Sequence, residues 1–212
     1  MADDIALTGL TVLGEKRAAE LRALIRDIPG YPHEPIIFRD ITPMLADGAA
    51  FNDMVEAFAR LYEDEDGHHG IDCVVGMEAR GFILGAALAL RLGVGFVPLR
   101  KAGKLPPPVE SQTYDLEYGT ATLEVRSGTF SEGDSVLVID DILATGGTAQ
   151  AAAKLVESAG GTVRAMVFLM ELGGLPGRAR LSDRQVDTLL FVDEEQGFGD
   201  DIAPPESLHA RQ

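Results

Sequence analysis

"SVLVIDDILATGGTAQAAAKL", residues 135–155, changes character twice within one stretch. Ser135 to Ile139 is a short aliphatic and β-branched run, the pattern of a strand buried on both faces. Asp140 and Asp141 close that run, Ala144 to Thr148 follow as a loop of small and hydroxylic residues, and Ala-rich sequence then predicts a helix over 147–159. In a parallel sheet, ligands bind beyond the C-terminal ends of the strands, where the loop into the next helix offers free backbone N–H groups to an anion. Gly146 and Gly147 let the backbone wrap closely, and Thr145 and Thr148 add hydroxyl donors, so a phosphate monoester fits. Carboxylates repel that phosphate. Asp140 and Asp141 are suited instead to accept hydrogen bonds from vicinal hydroxyls, directly or through a hydrated Mg²⁺, which points to a ribose 5-phosphate. Acidic strand ends before Gly-rich turns also occur as plain helix caps, but the joint pattern here is longer than a cap requires.

Outward from this stretch, apolar β-branched runs recur at 71–76, 94–98, 162–169 and 186–192, with small-residue helices expected at 80–91 and 147–159. That alternation predicts an α/β fold: a mostly parallel twisted sheet flanked by helices on both faces. Two further helices are expected, one over 15–28, with Leu21, Leu24, Ile25 and Ile28 on one face, and one over about 51–62. Residues 113–125, "TYDLEYGTATLEV", alternate on either side of Gly119 and Thr120 and read as a hairpin. The preceding "RKAGKLPPPVESQ", basic and Pro-rich, reads as a loop long enough to act with the hairpin as a lid or hood. Other phosphate motifs fail: "GVGFVP" (93–98) has Pro98 where a dinucleotide fingerprint needs Gly, and "AGKLPP" (102–107) lacks the Ser or Thr of a Walker loop.

A net charge of −16 argues against a duplex DNA or RNA surface, which needs clustered Lys and Arg. No apolar run reaches the roughly 18 residues of a membrane span. The start of the chain is acidic, unlike a signal peptide, and the single Cys73 cannot form an internal disulfide, so a cytoplasmic location is expected. Cys73 reads as a packed core residue, and His33, His68, His69 and His209 as solvated side chains without metal-site spacing.

"VLVIDDILATGGTAQAA" resembles the phosphoribosyl-pyrophosphate signature of type I phosphoribosyltransferases. "IIFRDITP" (36–43), "VVGMEARGFILGAALA" (74–89), "PLRKAGKLP" (98–106) and "LEYGTATLEV" (116–125) resemble, in order, segments of the adenine-specific branch of that family. The resemblance covers roughly 29–192, the expected phosphoribosyltransferase domain; an N-terminal extension and helix (1–28) precede it, and residues 193–212, rich in acids, read as a tail outside the match. It implies transfer of a phosphoribosyl group to adenine, giving AMP and pyrophosphate, with Mg²⁺ as cofactor and a homodimeric assembly. By the same resemblance, Asp140, Asp141, Ala144, Thr145, Gly146, Gly147 and Thr148 bind the ribose and its phosphate, the two aspartates holding metal only indirectly, through substrate and water. Glu78 and Ala79, joined by a cis peptide, bind pyrophosphate with Arg80, Arg100, Lys101 and Lys104. The backbone of Ile37 and Arg39 reads the edge of adenine, Phe38 and Leu172 cover its faces, and Glu117 and Tyr118 are carried over the site by the hairpin. Arg80, Glu117, Asp140 and Asp141 are then the catalytic set.

Rival readings are a xanthine or other purine phosphoribosyltransferase, an orotate enzyme, and a regulator that senses phosphoribosyl pyrophosphate without reacting. Hypoxanthine-guanine enzymes commonly carry an acid where this chain has Ala144. A regulator of that kind usually adds a basic DNA-binding domain, for which neither length nor charge leaves room.

Overall fold

The structure is a computed structural model that describes residues 5–34, 36–115 and 119–193. The described strands are β1 (Ile5–Leu7), β2 (Arg26–Pro29), β3 (Ile37–Asp40), β4 (Cys73–Met77), β5 (Gly95–Lys101), β6 (Val109–Asp115), β7 (Thr120–Arg126), β8 (Ser135–Leu143), β9 (Thr162–Leu172) and β10 (Val186–Val192). The helices are α1 (Glu15–Arg22), α2 (Thr42–Ala46), α3 (Gly48–Arg60), α4 (Arg80–Leu92), α5 (Gly147–Ser158) and α6 (Gly177–Arg180), with a 3₁₀ turn over Gly9–Leu13.

One eight-stranded sheet runs β1-β10-β9-β8-β4-β5-β7-β6. Its central five strands, β10, β9, β8, β4 and β5, are parallel, while β1 and the β6–β7 hairpin add antiparallel edges. Taken in chain order, the parallel strands lie 2-1-3-4-5, the doubly wound arrangement whose switch point falls between the first and third strands. Here that point lies between β4 and β8. Alternate residues of β8 feed opposite cores: Leu137 and Ile139 pack with α3 and α4, Val136 and Val138 with α5. Burial on both faces explains why the strand reads as one apolar run rather than an alternation.

The approach of α4 to the sheet is set by glycine. A Cβ on Gly81 would lie 2.8 Å from the Ile139 carbonyl oxygen and 3.0 Å from Asp140 Oδ1, so only a residue without a side chain lets the first turn of α4 rest on the end of β8. At α3, Asp47 caps the helix by accepting from the N–H groups of Ala49 and Ala50, which moves its start ahead of the expected residue 51.

Three expectations need correction. The helix expected over 15–28 ends at Arg22, and Arg26–Pro29 instead forms a strand pairing antiparallel with β3. Leu21 and Ile25 are buried as the helical pattern requires, but Ile28 is 38% exposed; the Asp27–Arg39 ion pair at 2.7 Å holds the segment to β3. In the hairpin, the strand begins at Val109 rather than Thr113, so Glu110, Ser111 and Gln112 belong to the ladder and not to the loop. The N-terminal segment joins the main core: Leu10, Ala18 and Leu21 are fully buried with Phe58 and Leu189. His69 is half-buried, its Nδ1 accepting from the Ile71 N–H at 3.1 Å. No helix among the described residues is long and apolar enough to cross a membrane.

Candidate active site

At the β4–β8 switch point a cavity of about 350 Å³ opens. Its lining brings together Glu78, Ala79 and Arg80 from the end of β4, Asp140 to Thr148 from β8 and the loop after it, and Lys101 from the end of β5. These are the segments expected to hold pyrophosphate, ribose and phosphate.

The phosphate loop turns on Gly146, whose φ of 76° is left-handed and natural only to glycine, and α5 starts at Gly147 with no side chain capping it. Its first amides are therefore directed at the cavity rim without an internal acceptor, and the helix dipole adds partial positive charge. Gly177 packs beneath: a Cβ there would lie 2.2 Å from the Ala144 carbonyl oxygen. Arg178 fixes that turn by bonding both oxygens of buried Glu171 and the Val186 carbonyl.

Asp140 Oδ1 accepts from the backbone N–H of Asp141 at 2.9 Å. Burial, then the neighbouring Asp141 charge, push the Asp140 carboxyl well above its ordinary range. Burial also raises Asp141, with Arg80 opposing the shift. Arg80 Nε stands 2.9 Å from Asp141 Oδ2, yet that buried oxygen has no hydrogen bond of good geometry. A buried carboxylate oxygen held by charge but not by a well-aligned hydrogen bond can still accept from a hydroxyl or a metal-bound water.

The peptide between Glu78 and Ala79 is cis, as the resemblance implied. The Glu78 carboxylate accepts from the Lys101 N–H at 3.0 Å and Arg100 Nε at 3.1 Å, which lower its pKa. Arg100 lies over the Phe82 ring at 5.8 Å and does not line the cavity; Lys104 is exposed and does not line it either.

On the base side, Phe38 is half-buried, edge-on to Tyr31, with the Arg80 guanidinium 5.4 Å from its ring centre. The Gly30 N–H donates to the Ile36 carbonyl at 2.8 Å, so the next pair, Pro29 with Ile37, falls in a non-hydrogen-bonded position, as does Asp27 with Arg39. The backbones of Ile37 and Arg39 therefore face away from β2, on the edge of β3 that has no strand partner among the described residues. Leu172 ends β9 one residue past Glu171, which pairs with Leu143, at the same end of the sheet as the phosphate loop. Glu117 and Tyr118 lie outside the described residues. Sequence reasoning missed Met77, Tyr114, Phe168 and Gly177; of these Tyr114 carried a signal, as an aromatic in the alternating hairpin.

Paired strand-end acids, an uncapped helix after a Thr/Gly loop and a cation across the switch point thus share one concave site at the C-terminal ends of the parallel strands of a doubly wound sheet. Residues 44–202 match the phosphoribosyl transferase domain family. The adenine phosphoribosyltransferase of Bifidobacterium adolescentis is 50% identical over 192 residues, 90% of this chain and 98% of that one. Among solved structures, the Thermoanaerobacter pseudethanolicus adenine phosphoribosyltransferase is 48% identical with a TM-score of 0.76, covering 81% of this chain and 98% of that one. The Saccharomyces cerevisiae enzyme, complexed with an imino-altritol bisphosphate and adenine, is 41% identical with a TM-score of 0.78, covering 82% and 98%. The chain belongs to the adenine phosphoribosyltransferase family.

Proposed function

We propose that this protein transfers the 5-phosphoribosyl group of phosphoribosyl pyrophosphate to adenine, forming AMP and releasing pyrophosphate in purine salvage. The observation that carries the reading is the single cavity where the phosphate loop, the Asp140–Asp141 pair and Arg80 converge. The loop amides and the Thr145 and Thr148 hydroxyls bind the 5′-phosphate. The two aspartates accept from the ribose hydroxyls, and their charge favours the cationic character that develops at C1′ as pyrophosphate leaves. Arg80, Lys101 and the Ala79 N–H receive the departing pyrophosphate. Adenine enters between Phe38 and Leu172, its edge read by the Ile37 and Arg39 backbone, and Glu117 holds the proton released from the imidazole half of the base.

Mg²⁺ belongs to the same reading. Among the described residues no cluster of three or more His, Cys, Asp or Glu could hold a metal outright, while Oδ2 of Asp141, ion-paired with Arg80 but in no well-aligned hydrogen bond, suits a water or hydroxyl on an ion brought by the substrate. When bound, the ion neutralises the diphosphate charge as it leaves. The reading includes a cytoplasmic homodimer, supported by the apolar surface that Ile83 and Leu90, the latter 84% exposed, leave on α4.

The test is an absorbance assay with phosphoribosyl pyrophosphate, Mg²⁺ and each of adenine, hypoxanthine, xanthine and guanine. Adenine alone is expected to be consumed. Preference for xanthine, or binding of phosphoribosyl pyrophosphate without turnover of any base, overturns the assignment.

A further inference from the structure

Tyr114, on β6, is used by none of the roles above. Its ring packs on the core beneath α5, against the group of residues that includes Ala149 and Phe168, and its side chain lines the same cavity as the phosphate loop. The Thr148 hydroxyl, at the first turn of α5, points at the Tyr114 hydroxyl across 3.3 Å. That separation is beyond the usual 2.5–3.0 Å of an O–H···O bond, so neither hydroxyl is well satisfied by the other. Tyr114 Cδ2 and the Asp115 carbonyl oxygen also approach Gly147, 3.9 and 3.4 Å from where its Cβ would be. The hairpin therefore rests directly on the residues that start α5.

We propose that the Tyr114 hydroxyl is a further ligand of the substrate 5′-phosphate, supplied by the hairpin, so that an occupied phosphate loop and a docked hairpin stabilise each other. This rests on the reading of the loop as a ribose-phosphate site. An anionic oxygen beside Thr148 draws both hydroxyl protons toward itself, replacing one long neutral contact with two charge-assisted bonds. The rigid phenol ring, held by the core, places its donor at little entropic cost. Substrates lacking the 5′-phosphate forfeit that link, which makes Tyr114 a specificity residue as well as a ligand.

Tyr114→Phe keeps the ring and removes only the hydroxyl. Titration with ribose 5-phosphate is expected to show about tenfold weaker binding than wild type, the scale of a hydrogen bond to a charged oxygen, with a matching rise in KM for phosphoribosyl pyrophosphate. Binding of adenosine, which has no phosphate, is expected to stay unchanged. Equal ribose 5-phosphate affinity in wild type and variant overturns the proposal. So does an equal loss for adenosine, which would mark Tyr114 as a packing residue. If the wild type itself transfers no base, the proposed function fails, yet the ribose 5-phosphate titration still decides Tyr114 on its own.

Discussion

Arg80 Nε lies 2.9 Å from Asp141 Oδ2, tying the first residue of α4 to the end of β8 across the switch point, while the same guanidinium stands 5.4 Å from the Phe38 ring centre. One cation thus borders the places that the proposed function gives to the ribose, the leaving group and the base. Arg80→Gln is expected to lower kcat/KM for phosphoribosyl pyrophosphate about 10²-fold, the cost of losing one donor to developing charge. Arg80 opposes the rise of the Asp141 pKa, so its removal leaves burial opposed only by the hydrogen bonds from Asp140 and the neighbouring backbone. The acidic limb of the pH–rate profile should accordingly move to higher pH. An unmoved limb would dissociate Asp141 from that ionisation.

Asp140 predicts the opposite balance of stability and activity. Its native pKa lies above the unfolded value, so between the two the native state holds more protons and stability falls as pH rises. The burden is absent below the ordinary aspartate pKa of about 4 and grows as pH rises from there toward the raised native value. Asp140→Asn keeps an oxygen to accept from the Asp141 N–H and removes the charge. It should raise Tm near neutral pH, each kcal/mol relieved giving about 2–4 °C. The gain should shrink toward pH 4 or so, and turnover should drop. Melting curves across pH decide it, and a variant less stable than wild type near neutrality contradicts the assigned cause.

The switch-point strands were legible because a strand buried on both faces leaves one long apolar run, and Asp140–Asp141 break it abruptly. The phosphate loop was legible for the same reason of contrast. What escaped was the structure fixed by partners distant in sequence. Arg26–Pro29 carries a helical apolar spacing, and only pairing with Ile37–Asp40 turns it into a strand. Gly177 is one glycine among many until the Ala144 carbonyl is seen against it. The motif spoke for the Glu78–Ala79 peptide but not for the Glu78 carboxylate, whose partners Arg100 and the Lys101 N–H lie more than twenty residues on.

Cys73 should be chemically silent. It is 8% exposed in β4, and burial, with Asp134 and Asp72 adding negative charge, pushes its thiol up to about 11. At neutral pH the reactive thiolate is then scarce. Native protein treated with iodoacetamide near pH 7 is expected to keep its free thiol and its full activity. Rapid stoichiometric alkylation without unfolding would contradict this placement.

Gly177 offers the sharpest test of how the phosphate loop is supported. It opens α6, outside the Thr/Gly motif, yet a Cβ there would stand 2.2 Å from the Ala144 carbonyl oxygen and 3.0 Å from two Leu143 side-chain atoms. A backbone oxygen cannot swing aside as a flexible side chain can, so Gly177→Ala must displace the loop, the α6 turn, or both. The turn is held in turn by Arg178 on Glu171, which leaves the loop to move. Overpacking of this kind costs about 1–3 kcal/mol. The expected signature is a KM for phosphoribosyl pyrophosphate raised about tenfold or more, with adenine affinity little changed because β3 lies on a different sheet. Gly95→Ala is the matched control, since its Cβ would meet only Cys73 Cβ at 3.9 Å, and it should alter neither constant. Steady-state kinetics of the two variants, with Tm measured alongside, separate the outcomes. A Gly177→Ala enzyme that is destabilised yet keeps the wild-type KM would show that the α6 turn yields and the phosphate loop stands without it.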